Sequence, residues 1–202
     1  MTSLWLGREP LVIASKSAVR RAVLEAAGIP VEVRPAEIDE RGIEARTPTA
    51  GPAEVAALLA REKARAVAAL MPGRLVLGAD QTLALGARRF SKPGDHAAAR
   101  AQLQALRGRT HELHSAVAVM RDGTVLYDQV EVARLTMRAF SDDVLDRYLA
   151  AAGAAVTASV GGYQLERIGI HLFDKIAGDH FTVLGLPLLP LLGFLRKQGF
   201  VA

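Results

Sequence analysis

The chain of 202 residues contains no cysteine, so disulfide bonds, thiolate metal ligands and a cysteine nucleophile are all excluded. Its N-terminus lacks the basic segment and apolar core of a secretory signal. The most apolar stretch, residues 184–195, is broken by Pro187 and Pro190. It is also shorter than the roughly 20 residues that a membrane-spanning helix needs. We therefore predict a cytoplasmic protein with no membrane contact.

Several functional motifs are also missing. No GxxxxGK[ST] phosphate loop, GxGxxG dinucleotide fingerprint or HExxH zinc motif occurs, which argues against a P-loop enzyme, a Rossmann dehydrogenase and a zinc hydrolase. Aromatic residues make up only 5% of the chain and do not alternate with basic ones, so stable nucleic-acid binding is disfavoured. The net charge of +4 comes from scattered arginines, which suit either an anionic ligand or a solvated surface.

What the sequence does contain is an alternation of strand-like and helix-like segments. Half of the residues are apolar, enough for a substantial core. This pattern, with a long hairpin, predicts one α/β domain over residues 1–202 with an elongated mixed sheet flanked by helices. The predicted strands span 11–14, 31–33, 74–78, 110–120, 124–137 and 168–176. The predicted helices span 18–27, 53–70, 95–106, 141–151 and 180–197, while the Thr-, Pro- and Gly-rich residues 41–52 are predicted to be a loop.

The first candidate site is the start of the helix at residues 18–27. Ser17 is a plausible N-cap, and the free amide groups of a helix N-terminus attract anions. Arg20 and Arg21 add positive charge to the first turn, which is unfavourable against the helix dipole unless an anion is bound. Two solvated arginines remain the alternative interpretation.

Asp80 and Lys63 are two further candidates. Asp80 follows an apolar strand, a place where open α/β sheets present ligand-binding groups, although an aspartate that caps its own turn is the commoner case. A carboxylate there can hold a metal or take a proton from water. Lys63 lies beside the apolar stripe of its helix, so it either extends to solvent or reaches into a cleft.

The remaining signals are weaker taken singly. Lys92 precedes a proline and a helix, where its ammonium group can point towards an anion. An acidic segment around Glu37, with Asp39 and Glu40, offers the oxygen ligands that a hard divalent ion prefers. A hydrated acidic loop is the alternative. Most of the five histidines are expected to be structural or exposed.

Together, the order and spacing of these signals resemble those of one family, the Maf-type nucleoside triphosphate pyrophosphatases. The similarity runs from about residue 11 to 197 and is carried by the segments LVIASKSAVRRAVLEAAG, AEIDE, LAREKARAVA, LVLGADQTLAL, SKPGDHAAARAQLQALRGRTHELHSAVAV and VGGYQLERIGIHLFDKIAGDHFTVLGLPL.

The resemblance implies a two-lobed, inosine-triphosphatase-like fold with a central cleft and a homodimeric assembly. It also implies hydrolysis of a modified or non-canonical nucleoside triphosphate to the monophosphate and pyrophosphate with Mg²⁺ or Mn²⁺. Asp80 would activate the attacking water and, with Glu37, hold the metal. Lys63 and Lys92 would take part in catalysis by binding the triphosphate, and Ser15, Ser17 and Arg20 would bind the substrate.

Substrate choice depends on three further positions that would contact the base. Gln81 and Glu166 resemble the branch of the family that acts on 7-methyl-GTP rather than the branch that acts on dTTP and UTP. Val19 departs from both patterns, since the first branch often has a tryptophan there and the second an arginine. The alternative function is that of a catalytically weak nucleotide-binding regulator of cell division and septum formation.

Overall fold

The computed structural model describes residues 3–202, which form a seven-stranded sheet flanked by seven α-helices. The strands are β1 (Leu11–Ile13), β2 (Val31–Val33), β3 (Val76–Leu85), β4 (Arg88–Phe90), β5 (Thr110–Arg121), β6 (Thr124–Met137) and β7 (Phe173–Ala177). The helices are α1 (Ala18–Ala26), α2 (Glu40–Ala45), α3 (Pro52–Ala68), α4 (His96–Leu106), α5 (Asp142–Ala152), α6 (His180–Val183) and α7 (Leu188–Lys197).

The sheet is mixed, with the strand order β2-β1-β3-β5-β6-β7 and β4 attached to β3. β1 pairs in parallel with β2 and with β3. Parallel neighbours need a long connection, which α1 provides between β1 and β2 and the segment through α3 provides between β1 and β3. From β3 through β5 and β6 to β7, each strand is antiparallel to its neighbour, and β5 and β6 form the predicted hairpin. The predicted mixed α/β fold is confirmed.

Three clusters of buried side chains fill the core. On one face of the sheet, the alanine-rich side of α3 packs against Val12, Val76 and Ala118. On the other face, α1 and α7 cover Ile13 and Leu77. A third cluster gathers α4, α5 and the distal ends of β3, β5 and β6. A cleft between the third cluster and the other two is lined by residues of both parts.

Four predicted boundaries were wrong. Residues 40–45 form α2 instead of a loop, and β3 continues to Leu85 instead of ending at residue 78. The segment 168–176 begins as a 3-10 helix, Ile168–Leu172, before β7 starts. The predicted terminal helix is two helices, α6 and α7. Gly185 adopts a positive φ that ends α6, and Pro187 occupies the position before the first residue of α7.

Within residues 3–202, no helix combines the length and apolar character required to cross a membrane.

Candidate active site

One cleft of about 840 Å³ brings together the ten residues to which the sequence assigns a role in catalysis, metal binding or substrate binding. It lies where α1, α3 and β3 face the segment after β4 and the 159–166 segment. The predicted residues that line it are Ser15, Ser17, Val19, Arg20, Glu37, Lys63, Asp80, Gln81, Lys92 and Glu166. Their chemical roles remain predictions, whereas their shared location is an observation.

At the floor of the cleft, Lys63 is bonded to two carboxylates. Its Nζ lies 2.6 Å from Oδ1 of Asp80 and 3.0 Å from Oε1 of Glu40. The side chains of Lys63 and Asp80 are each only 11% exposed, so the ion pair is shielded from bulk water. Lys63 therefore does not extend to solvent, and Asp80 lies within β3 instead of capping a turn after it.

The backbone explains why these two side chains meet. Successive strand residues point to opposite faces, so Gly78 and Asp80 share the face of β3 that α3 covers. A β-carbon at position 78 would collide with the carbonyl oxygen of Ala60 and would lie 2.7 Å from the backbone nitrogen of Ala64. Glycine thus permits the close approach of α3 that places Lys63 opposite Asp80.

Arg20 joins three elements around the cleft. Its guanidinium donates hydrogen bonds to the carbonyl of Gly185 (2.8 Å), the carbonyl of Ala79 (2.8 Å) and the hydroxyl of Ser15 (3.2 Å). Burial lowers the pKa of Arg20, and the charges of Asp80 and Glu40 oppose that shift. By contrast, Arg21 points outward and pairs with Glu25, so only one of the two arginines belongs to the site.

Ser15 and Ser17 shape the start of α1. Ser17 is the N-cap that the sequence predicts, because its hydroxyl accepts a hydrogen bond from the backbone nitrogen of Arg20. The hydroxyl oxygen of Ser15 accepts hydrogen bonds from the Ser17 amide at 3.2 Å and from Arg20. A serine hydroxyl has two acceptor positions and one donor. With both acceptor positions in use, Ser15 has its proton available for a ligand.

Gln81 connects the cleft to the segment before α7. Its side-chain nitrogen lies 2.9 Å from the hydroxyl of Ser115, 3.2 Å from the carbonyl of Thr182 and 3.1 Å from that of Val183. Ser115, which the sequence did not single out, donates to the same Thr182 carbonyl at 2.7 Å. The amide donors of Gln81 are thus used internally, and this side chain positions residues 182–183.

Glu37 and Lys92 are more exposed than Lys63 and Asp80, at the rim of the cleft. Glu37 is 84% exposed and lies 3.3 Å from the ammonium of Lys16. Lys92 is exposed on the segment between β4 and α4. Among residues 3–202, no group of three or more His, Asp or Glu side chains is close enough together to hold a metal ion by itself.

The cleft also contains polar groups that the sequence did not single out or left without a role. Glu40, part of the predicted acidic segment, binds Lys63 because Asp39 caps α2 and starts the helix there. Arg89 Nη1 and Gln164 Oε1 are buried and have no hydrogen-bond partner within residues 3–202. Both residues line the cleft, where a bound ligand can satisfy them.

Among the histidines, His111 is fully buried beneath the cleft. Its Nε2 lies 2.6 Å from the hydroxyl of Tyr163, and Tyr163 lines the cleft. Burial lowers the pKa of His111 to about 4, so the ring is neutral at pH 7. Burial also raises the pKa of the Tyr163 phenol well above its ordinary value. His111 therefore supports the wall of the cleft, in line with the structural role expected for it.

A family profile described as Maf-like protein matches residues 10–198, and the chain belongs to that family. A protein of Rhodopseudomonas palustris named nucleoside triphosphate pyrophosphatase is 57% identical over 200 residues, which cover 99% of each chain. A protein of Rhizobium etli named 7-methyl-GTP pyrophosphatase is 51% identical over 193 residues, 95% of this chain and 97% of that one. The predicted family is confirmed, and the names of these relatives agree with the predicted class of hydrolase.

Solved structures resemble the chain only distantly. A HAM1 protein from Coxiella burnetii has 16% sequence identity and a TM-score of 0.40, covering 63% of this chain and 72% of that one. A likeness at this level says nothing about the site.

Proposed function

We propose that the chain is a nucleoside triphosphate pyrophosphatase that releases a nucleoside monophosphate and pyrophosphate. The observation that carries this proposal is the shielded pair of Lys63 and Asp80, 2.6 Å apart, in a cleft that Arg20 also lines. Phosphoryl chemistry needs positioning and charge neutralisation far more than a covalent nucleophile. The names of the relatives from Rhodopseudomonas palustris support the same activity.

The triphosphate is expected to be held by the cationic and donor groups of the cleft. Lys63 and Lys92 offer ammonium groups, Arg20 a guanidinium and Ser15 its free hydroxyl proton. Ser17 holds the amide groups at the start of α1 in place by capping the helix. These four residues come from three parts of the chain and line one cleft, which supports binding of a single anion more than a solvated basic surface.

The residues present fit a divalent cation of the Mg²⁺ or Mn²⁺ kind. Mg²⁺ keeps several waters and is usually held by one or two carboxylates together with substrate phosphates. Asp80 and Glu37 supply two carboxylates on the same cleft, so a complete cage of protein ligands is not required. A cation held there would neutralise phosphate charge as the substrate reacts.

In the reaction that we propose, water attacks the α-phosphorus and gives up its proton to the carboxylate of Asp80. The new bond joins the water oxygen to the α-phosphorus, and the bond to the bridging oxygen breaks, so that pyrophosphate leaves. Lys63 fixes the orientation of the Asp80 carboxylate through Oδ1 and contributes positive charge beside the phosphates. Lys92 is assigned to the charge of the leaving pyrophosphate.

For the base, we propose a guanine-type substrate, with 7-methyl-GTP as the first candidate. Glu166 is exposed on the cleft, where its carboxylate can accept hydrogen bonds from the N1–H and exocyclic amine of guanine. A carboxylate also favours the positive charge that methylation at N7 places on the base. The name of the Rhizobium etli relative supports this assignment. Val19 can contact the base but cannot stack on it as an aromatic side chain would.

The central test replaces Asp80 with asparagine, which keeps the size and one oxygen of the side chain but cannot accept a proton from water. We expect Asp80→Asn to lower pyrophosphate release by at least about a hundredfold. Nucleotide binding by calorimetry and the thermal unfolding midpoint should stay close to those of the wild type. Unchanged turnover would remove Asp80 from its role. Tight nucleotide binding by a wild type that releases no pyrophosphate would instead favour the division-control regulator.

Specificity is tested with Glu166→Gln. A screen of canonical and modified nucleoside triphosphates with Mg²⁺ or Mn²⁺ identifies the preferred substrate. In the variant, kcat/KM for 7-methyl-GTP should fall about tenfold or more relative to that for UTP. Equal losses for both substrates would contradict the base assignment. Light scattering on the same samples tests the expected homodimer.

A further inference from the structure

A second cavity, an apolar groove of about 430 Å³, lies beside the cleft between α1 and the α6–α7 segment. One wall is a face of α1 whose residues follow helical spacing: Val19, Ala22, Val23 and Ala26. The opposite wall includes Phe181 and Leu188. Ala22 and Ala26 are exposed, and their small side chains leave the groove open.

The groove adjoins the active-site cleft. Val19, Leu184 and Glu166 line both cavities, so they form the boundary between them. Two of these three, Val19 and Glu166, are the positions assigned above to the base of the nucleotide. A base bound at Glu166 therefore has the groove directly beside it.

The lining defines what the groove can accept. Every residue that lines it is apolar except Glu166, which stands at the boundary. An apolar group gains free energy in proportion to the surface it removes from water, and a methyl group is far too small to fill a space of this size. A carboxylate at the entrance favours a base that carries positive charge.

We infer that the site accepts nucleoside triphosphates whose base carries an apolar substituent larger than methyl, and that the groove binds this substituent. The inference rests on the proposed function, because it uses the same cleft for the triphosphate. Val19 stands at the boundary between the two cavities, where its short side chain fills less space than an aromatic residue would.

The test compares GTP, 7-methyl-GTP and 7-benzyl-GTP as substrates, with kcat/KM taken from pyrophosphate release. The two alkylated bases carry the same positive charge and differ only in apolar size. Wild-type enzyme should prefer the benzyl compound to the methyl compound by about tenfold, because the ring adds buried apolar surface. Ala22→Phe, which fills the groove from outside the cleft, should remove that preference while kcat/KM for 7-methyl-GTP stays within about twofold.

Ala150→Phe is the matched control, because Ala150 is also an exposed helical alanine but lies on α5, outside the groove. This variant should keep the preference for the benzyl compound. Ala26→Phe provides a second filling variant, and circular dichroism verifies that each variant is folded.

The outcomes separate the two proposals. If none of the three nucleotides releases pyrophosphate, the proposed guanine-type substrate is wrong, and this inference fails with it; if no nucleotide in the wider screen does, the proposed pyrophosphatase activity fails as well. If 7-methyl-GTP is hydrolysed but the benzyl compound is no better a substrate, only the role of the groove is refuted. The same holds if Ala22→Phe lowers kcat/KM equally for all three substrates. If Ala22→Phe changes the molecular mass in light scattering and leaves selectivity unaltered, the groove is an interface between copies of the chain, which also overturns the inference.

Discussion

Replacing Gly78 with alanine adds one methyl group at the place where α3 touches β3. That methyl carbon would collide with the carbonyl oxygen of Ala60 and would lie 2.7 Å from the nitrogen of Ala64. Both atoms belong to the backbone, so no side-chain rotation can relieve the overlap. The helix and the strand must move apart.

The size of that movement sets the expected effect. Non-bonded heavy atoms prefer separations of about 3.5 Å or more, so α3 must shift by at least about 1 Å. The shift carries Lys63 away from Asp80, whose 2.6 Å contact depends on the same helix and strand. A misplacement of about 1 Å can cost roughly a hundredfold in rate, and overpacking of a core typically costs about 1–3 kcal/mol of stability.

The assay measures kcat for pyrophosphate release and the free energy of unfolding in urea for Gly78→Ala. Gly193→Ala is the matched control, because a β-carbon at position 193 in α7 meets no atom within 4 Å in the described chain beyond its neighbours and the backbone of its own helix. The control should be neutral or gain about 0.4–1 kcal/mol, since alanine has less conformational freedom in the unfolded chain.

A Gly78→Ala protein with wild-type turnover and stability would refute this reasoning. It would show that α3 and β3 can separate without disturbing the site, or that the distance between Lys63 and Asp80 is not important for the reaction. A variant that loses stability but keeps its turnover would refute only the claim that the distance between Lys63 and Asp80 is important for the reaction.

Two further predictions concern the surroundings of the cleft. Because burial holds the pKa of His111 at about 4 against an ordinary value of 6.5, the unfolded chain binds its proton first as the pH falls. Protonation of His111 in the unfolded chain should therefore lower the free energy of unfolding by about 2 kcal/mol as the pH falls from 7 to 5. His111→Gln, which can still bond to Tyr163, should lack that part of the pH dependence in urea unfolding, and identical pH profiles would contradict it. Arg20→Lys keeps the positive charge but loses the planar guanidinium group that donates hydrogen bonds to Ser15, Ala79 and Gly185. We therefore expect kcat/KM to fall about a hundredfold. A loss below about threefold would be inconsistent with the proposed role of Arg20.

Much of the fold follows from local signals in the sequence. The long hairpin of β5 and β6 is set by alternation on either side of a turn in which Asp122 and Gly123 both adopt positive φ. The Ser17 cap likewise depends only on residues within one turn. These features could be predicted because the interactions that create them lie close together along the chain.

The errors arose where distant parts of the chain decide the structure. β3 continues past Gly78 because β5 pairs with it from Val76 to Ala84 and both of its faces are covered, so the Gly–Ala–Asp sequence does not turn. Helix α2 is only six residues long, and its Asp39 cap lies within an otherwise loop-like composition. Local composition could not distinguish either case.

The candidate site shows the same division. Position along the chain and family resemblance predicted ten site residues, and all ten line one cleft. The contacts among them were less accessible to sequence reasoning. Gln81 binds the backbone carbonyls of Thr182 and Val183, and backbone acceptors leave no signature in the sequence. Arg89 and Gln164 became visible only because atoms of each are buried without a partner in the described chain.

The most direct test of the proposed chemistry is the fate of the attacking oxygen. A turnover experiment in ¹⁸O-labelled water, followed by mass spectrometry, identifies the phosphorus that water attacks. We expect one ¹⁸O atom in the nucleoside monophosphate and none in the pyrophosphate, with the labelled product lost in Asp80→Asn. Label in inorganic phosphate, accompanied by a nucleoside diphosphate, would contradict attack at the α-phosphorus.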